Sequence, residues 1–455
     1  MIYLIAFVSA ITGFLFGFDE GIVSGVLQTI SKDFKLTHYE TGFLMGLLPF
    51  GALFAACLTG RFSDWVGRLR VIYLIAILFF LATIGILATH SFAVLCMMRV
   101  LLGISIGMSV VVTPLYIAET APAEIRGKLV TYFQLAITLG ILSAYLINLF
   151  VVGKISWRWT FATGLIPSSA LFIGALFLPE SPRWLFLKGK MGEAHKVLFR
   201  LYPKKFNPGR VEHELAIIKK SMIKKQRAGI WKELFSKRGF SCLLLGTGLF
   251  FFQQLSGINV VIYFAPQIFQ KMQIGTTSAV LLATVGLGTV NVLMTVVAMH
   301  LVEKIGRRPL LLIGFIGAAV SLGMIALFTQ FEGTLFKGLA ALSIFLYIAA
   351  FAVSLGPLPY ILTSEVFPLK IRGQGMSLSA ASNWAFNTLV VASFPILLEL
   401  LGISRVFLFY SSACVLGLLF CLYYAPETKG LSLEEIEEYV HSRKPLRKLG
   451  RPSAL

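Results

Sequence analysis

Charge is what this chain has least of. Only 13% of its 455 residues are Asp, Glu, Lys or Arg, about half the usual share of a soluble domain. Acidic residues are the scarcer kind, 21 against 40 basic ones. Cysteine is sparse as well: Cys57, Cys96, Cys242, Cys414 and Cys421 stand apart with no CxxC pair, which supports neither a disulfide framework nor a zinc site. The six histidines form no HExxH, and no GxxxxGK[ST] loop occurs, so metal-dependent hydrolysis and ATP-driven work have no residues to carry them. No other hydrolytic or redox constellation is present, and the chain reads as a non-enzyme with no metal and no cofactor.

Apolar sequence fills the space that charge leaves. Hydrophobic residues make up 57% of the chain and its mean hydropathy is +0.83. Runs long enough to cross a bilayer, about 20 residues, centre near residues 14, 50, 80, 105, 139, 168, 254, 288, 319, 350, 385 and 413. The pattern predicts an all-α membrane protein of twelve transmembrane helices in two six-helix bundles, at residues 1–179 and 238–425. A charged segment at 180–237 parts them, with helix-like patches at about 190–201 and 211–227 read as short cytoplasmic helices, and a tail at 426–455 follows. The first run begins at Met1 with no Ala-x-Ala site, so a removable signal peptide is not expected.

The net charge of +19 would suit nucleic acid, but its placement does not. Lys32, Lys35, Lys154, Arg158, Lys271, Lys337 and Arg405 fall in odd-numbered loops and Arg99 falls inside a span; every other Lys and Arg lies in even-numbered loops, the central segment or the tail. By the positive-inside rule those regions and both termini are cytoplasmic. The basic charge is a topology signal facing the bilayer, with no nucleic-acid partner implied. No N-x-[ST] sequon occurs, which leans toward a bacterial plasma membrane.

The chain also repeats itself. GRFSDWVGR (60–68), PLYIAETAPAEIRG (114–127) and PESPRW (179–184) return in the same order as VEKIGRR (302–308), PYILTSEVFPLKIRG (359–373) and PETKG (426–430). Gly67 pairs with Gly306, Glu119 with Glu365, Arg126 with Arg372 and Glu180 with Glu427, at a near-constant shift. With FGFD (16–19), QQLSGINVVIYFAP (253–266) and PETKGLSLEEI (426–436), these motifs give the whole chain a resemblance to the sugar porters of the major facilitator superfamily. The resemblance implies two bundles that rock around a central monosaccharide site, working as a monomer.

Gln253, Gln254 and Asn259 lie in one apolar span that Ser256-Gly257 interrupts. A buried amide without a partner costs a few kcal/mol, so three together point to a shared polar cavity, and amides both donate and accept, as a neutral polyol requires. Broken helices are where transporters place substrate; the alternative is amides that bond across helices as packing glue. Asn383 and Asn387 share a helical face at i, i+4, with Trp384 beside them. By the resemblance these residues, with Gln134, Asn291 and the neighbouring Tyr263, line the sugar site. Two positions depart from the family pattern. Tyr360 stands in GPLPY where a Trp is common, and Trp65 stands where the signature usually has a basic residue, which predicts one missing ion-pair partner in the first half.

Asp19 and Arg99 are charges inside spans, each costing at least ~2.5–3.5 kcal/mol even on a lenient scale. A carboxylate whose guanidinium partner comes and goes changes its proton affinity, so the pair reads as a proton-coupling device; a static ion pair is the alternative. By the resemblance, proton symporters have Asp at this place and facilitative carriers a neutral residue. The repeated Asp64, Arg68, Glu119, Arg126, Glu180, Glu303, Arg307, Glu365, Arg372 and Glu427 sit at span ends. There they read as a cytoplasmic gate or, more simply, as orientation signals with solvated loops. The function expected is monosaccharide import by proton symport with alternating access, hexose ahead of pentose and the proton as coupling ion. Its competitors are a facilitative sugar or polyol carrier and a non-transporting sugar sensor, which the short tail after Pro426 disfavours. An amide-rich pocket also suits hydroxyls better than the greasy cations of a multidrug exporter.

Overall fold

The computed structural model describes residues 1–121, 123–201, 230–368, 370–431, 433–442 and 445–450. The chain is helical almost throughout, as lipid demands of a backbone that must satisfy its own hydrogen bonds. Its helices are α1 (Ile2–Asp33), α2 (His38–Val66), α3 (Arg68–Ala88), α4 (Phe92–Thr120), α5 (Ala123–Val151), α6 (Trp157–Ala162), α7 (Leu165–Ala175), α8 (Pro182–Leu187), α9 (Met191–Leu201), α10 (Ile230–Leu234), α11 (Lys237–Leu255), α12 (Ile258–Lys271), α13 (Thr277–Ile305), α14 (Arg307–Phe328), α15 (Thr334–Ala350), α16 (Leu358–Val366), α17 (Arg372–Tyr424) and α18 (Leu433–His441). The expected helical patch at 190–201 coincides with α9; the one at 211–227 lies outside the described residues.

Ten helical stretches among the described residues are long and apolar enough to cross a membrane. The last of them, α17, runs 53 residues, or about 80 Å at 1.5 Å per residue, far beyond an apolar core of about 30 Å. Gly402 interrupts it with φ 74 and ψ 167. The pair α6 and α7, at 6 and 11 residues, is individually too short to be counted.

Two compact units form, and they do not follow the halves of the sequence. The first holds Met1–Asp19, Gly51–Gly140 and Phe161–Ala228. In it Thr12 and Thr113 share a hydroxyl bond of 2.8 Å joining α1 to α4, and Ser105 Oγ donates to the Ile75 carbonyl at 2.9 Å, joining α4 to α3. The second unit holds Glu20–Phe50, Ile141–Thr160 and Gly229–Leu455. In this unit the C-terminal parts of α1 and α5 and the first part of α2 pack with helices from the second half of the chain. Tyr145 Oη donates to the Ile262 carbonyl at 2.8 Å, Gln28 Nε2 donates to Gln270 Oε1 at 2.5 Å, and His38 lies 3.3 Å from Glu399. Asn148 Nδ2 donates to the Gly21 carbonyl at 2.8 Å, tying α5 to α1.

Candidate functional site

The second unit gathers its amides around two breaks in helices. Between α11 and α12, Gly257 takes a left-handed conformation, φ 81 and ψ 20, that a side chain would strain. Ser256 Oγ donates to the Gln253 carbonyl at 2.6 Å, and Tyr347 Oη donates to the Ser256 carbonyl at 2.8 Å, so the turn's polar groups are occupied. The other break is a π-helical turn at Phe351–Leu355 ahead of Gly356-Pro357. Such turns free backbone carbonyls and recur at functional sites. Gln253 Nε2 takes up two of them, donating to Leu355 at 2.7 Å and Gly356 at 3.2 Å.

From this frame runs a directed chain of bonds. Asn259 Nδ2 donates to Gln254 Oε1 at 2.9 Å, Gln254 Nε2 to Asn383 Oδ1 at 2.6 Å, and Asn383 Nδ2 to Tyr360 Oη at 2.9 Å. Three segments far apart in sequence thereby share one polar cluster. Tyr360 stands edge-on to Phe250, with ring centroids 4.8 Å apart, and its hydroxyl, which accepts from Asn383, still has a proton to donate. Gln253 Oε1, and Asn387 Oδ1 one helical turn beyond Asn383, are buried with no hydrogen-bond partner among the described residues. Each such atom costs about 1–3 kcal/mol if left unmet. Tyr263, Trp384 and Asn291 are buried in the same unit. Gln134 is half-buried on α5 in the first unit.

The first unit holds the intramembrane charges. Arg99 Nη1 reaches both oxygens of Asp19, at 2.8 and 3.1 Å, and each residue is 1% exposed. The fork of the guanidinium is not matched to the carboxylate, because Arg99 Nε and Nη2 are buried without a hydrogen-bond partner among the described residues. A bidentate pair would occupy two nitrogens; this one occupies a single nitrogen.

The repeated motifs fold into two equivalent clusters, one in each unit. In the first unit, Arg68 Nε and Nη2 bind Glu119 at 2.9 and 3.0 Å, and Nη2 also binds Asp64 at 2.8 Å. In the second, Arg307 Nη2 binds Glu365 at 3.1 Å and Glu303 at 3.2 Å. Glu180 and Glu427 do something different from pairing with a side chain. Each accepts from the first amides of a helix, where donors lack partners and the dipole favours an anion: Arg68 and Leu69 N–H bond Glu180 at 3.0 and 3.2 Å, and Arg307 and Arg308 N–H bond Glu427 at 3.1 Å. The preceding glycines make room. Gly67 and Gly306 have φ of 110 and 100, and a Cβ on either would collide with the carboxylate of its Glu. Burial pushes the Glu180 carboxyl above the usual carboxylate range, against the opposing pull of the Ser181, Leu69 and Arg68 amides and the Arg68 charge.

Sequence reading passed over two hydroxyls. Ser181 Oγ donates to Glu119 at 2.5 Å and Thr428 Oγ1 donates to Glu365 at 2.5 Å. They directly follow Glu180 and Glu427, so the repeat itself held the signal. Trp184 Nε1 adds a bond to the Asp64 carbonyl at 3.0 Å in the first cluster. Trp65 is 73% exposed and tilts against Phe62, while Arg68 keeps two carboxylate partners. Arg372 Nε donates to the Phe367 carbonyl at 3.0 Å; the side chain of its counterpart Arg126 lies outside the described residues.

The chain matches the family model described as sugar (and other) transporter over residues 5–440. It is 36% identical over 440 residues to the D-xylose transporter of Levilactobacillus brevis, covering 96% of this chain and 95% of that protein. It is also 36% identical over 453 residues to the galactose-proton symporter of Escherichia coli, covering 99% of this chain and 97% of that protein. The inward-open conformation of the xylose transporter from E. coli is similar in structure, with a TM-score of 0.83 at 30% identity over 96% of this chain and 100% of that one.

Proposed function

The chain belongs to the sugar porter family of the major facilitator superfamily, and on that premise we propose that it imports a monosaccharide by proton symport with alternating access. Hexoses are the favoured cargo and pentoses the next. The membrane is a bacterial plasma membrane, both termini are cytoplasmic, and the working unit is a monomer. Counting α17 as two spans parted at Gly402 and α6–α7 as one gives twelve spans in two bundles, at 1–179 and 238–425, with 180–237 and 426–455 on the cytoplasmic side.

The observation that carries the sugar reading is the pair of buried acceptors, Gln253 Oε1 and Asn387 Oδ1, beside a chain of three amides ending on Tyr360 Oη. Hydroxyl groups of a sugar are donors and acceptors at once. They satisfy the two orphan acceptors and accept from the Tyr360 hydroxyl, while the amides hold each other in position. Asn259, Tyr263, Asn291, Asn383 and Trp384 belong to the same unit and complete the surroundings.

Asp19 and Arg99 supply the coupling. Protonation of Asp19 removes the charge that Arg99 holds by one nitrogen, and α1 is then released from α4. Deprotonation restores the attraction. One charge moving down ~100 mV yields ~2.3 kcal/mol, enough to concentrate a neutral sugar roughly 50-fold. Each charge cluster braces helix ends within its own unit, and these ends are the cytoplasmic gate. Counterflow of labelled D-galactose, D-glucose, D-xylose and L-arabinose into liposomes tests the substrate class. Exchange of at least one of them, reduced tenfold or more by Asn383→Ala, is expected; no exchange with any monosaccharide contradicts the reading.

A further inference from the structure

An open cavity lies away from the amide cluster, where α1 and α12 end on the side that the charge distribution makes external. It measures about 360 Å³ and is lined by Gln28, Gln267, Gln270, Lys271 and Leu398, all within the second unit. Three of its five side chains are amides and a fourth is an ammonium, so donors and acceptors line it alongside the apolar stems of those long side chains and Leu398. Gln28 and Gln270 spend one donor and one acceptor on each other, at 2.5 Å, and that bond joins α1 to α12. Each of the two retains an unspent donor and acceptor, and Gln267, one turn before Gln270, keeps its whole amide.

We propose that this cavity is an entry site for the neutral monosaccharide, where sugar hydroxyls replace the Gln28–Gln270 bond. This rests on the sugar-porter reading and adds to it a second, external place for the same cargo. The chemistry of exchange is balanced: a hydroxyl gives a donor to Gln270 Oε1 and an acceptor to Gln28 Nε2, so breaking the amide pair leaves neither unmet. Hydrogen bonds in a wet site compete with water for little net gain, so binding is weak. Weak binding suits an entry site, which must hand its ligand on. Because the bond broken also holds α1 to α12, sugar arriving outside loosens the external contact between them.

Ligand-observed saturation-transfer NMR with D-galactose and D-xylose on the purified full chain tests this. In a Gln254→Ala/Asn383→Ala protein, whose central amide chain is broken, a weak sugar signal is expected to persist and to vanish when Gln267→Leu is added. Gln267 makes no part of the Gln28–Gln270 bond, so its loss reports on sugar contact rather than on loosening of the helices. Should the double variant misfold, Gln267→Leu alone in the otherwise intact chain removes the weaker of two binding phases and leaves the tighter one. A residual signal indifferent to Gln267→Leu, or one binding phase only in the intact chain, overturns the entry site while the central site stands. No signal with the intact chain overturns both.

Discussion

Arg99 holds both oxygens of Asp19 from a single nitrogen, Nη1, at 2.8 and 3.1 Å, and its other two nitrogens are buried without hydrogen-bond partners among the described residues. A pair built only for stability would use the matching fork. This geometry leaves the guanidinium under-satisfied, ready to exchange one partner for another.

Breaking one side of a buried pair costs about 3–5 kcal/mol, whereas removing both charges is often neutral. Arg99→Gln is therefore expected to lower the melting temperature of the purified protein sharply, and Asp19→Asn/Arg99→Gln to recover most of the loss. Additive losses in the double variant contradict a direct pairing.

At Gly67 and Gly306 the backbone and the neighbouring carboxylate both refuse a side chain. Gly67→Ala and Gly306→Ala should each cost about 1–3 kcal/mol, read by thermal unfolding. Gly60→Ala, where a Cβ meets nothing within 4 Å, should be neutral or mildly stabilising. Glu180 carries a pH signature as well. Its folded carboxyl is raised, so the folded chain keeps that proton to a higher pH than the unfolded one. Its contribution to stability is complete below the ordinary Glu value and is lost as pH rises through the raised one. Glu180→Gln is expected to flatten that part of the stability profile; an unchanged slope contradicts the assignment.

The hydroxyls of Ser181 and Thr428 bind charged acceptors, a bond worth about 1.5–3 kcal/mol. Ser181→Ala and Thr428→Val should give similar losses of stability, matching the symmetry of the two clusters. A large effect at one position with none at the other would show that the clusters are not equivalent.

Tyr360→Phe leaves Asn383 Nδ2 without its acceptor and removes a hydroxyl that the proposed site offers to the sugar. Vmax/KM for the best monosaccharide is expected to fall about tenfold, near 1.4 kcal/mol, with less change for sugars lacking the hydroxyl that Tyr360 contacts. A uniform fall across all epimers would assign Tyr360 to packing rather than to selection.

Much of this was legible because membrane sequences say so little. In a chain with few charges, each polar residue within a span stands out, and Asp19, Arg99, Gln254, Asn259 and Asn383 are candidates on that ground alone. Tyr360 was visible as an odd residue at a patterned position, although nothing in sequence showed that its hydroxyl accepts from Asn383. Gln253 reads as a ligand in sequence, yet its donor serves the carbonyls of the π-turn, a backbone irregularity with no apolar periodicity to reveal it. Ser181 and Thr428 were missed because a hydroxyl beside a repeated Glu draws no attention among charges. The assignment of the C-terminal parts of α1 and α5 to the unit built around the second half was not legible at all. It follows from long-range packing within that unit, of which the Tyr145 bond to the Ile262 carbonyl is one instance, and no periodicity encodes such packing.

Uptake of labelled monosaccharide into proteoliposomes under an imposed inward proton gradient, for the native chain and for Asp19→Asn, tests the coupling most directly. The native chain should accumulate sugar above equilibrium and collapse to equilibrium when the gradient is discharged, while Asp19→Asn should exchange sugar without accumulating it. Equilibration without accumulation by the native chain would make it a facilitative carrier and remove Asp19 from any role in coupling.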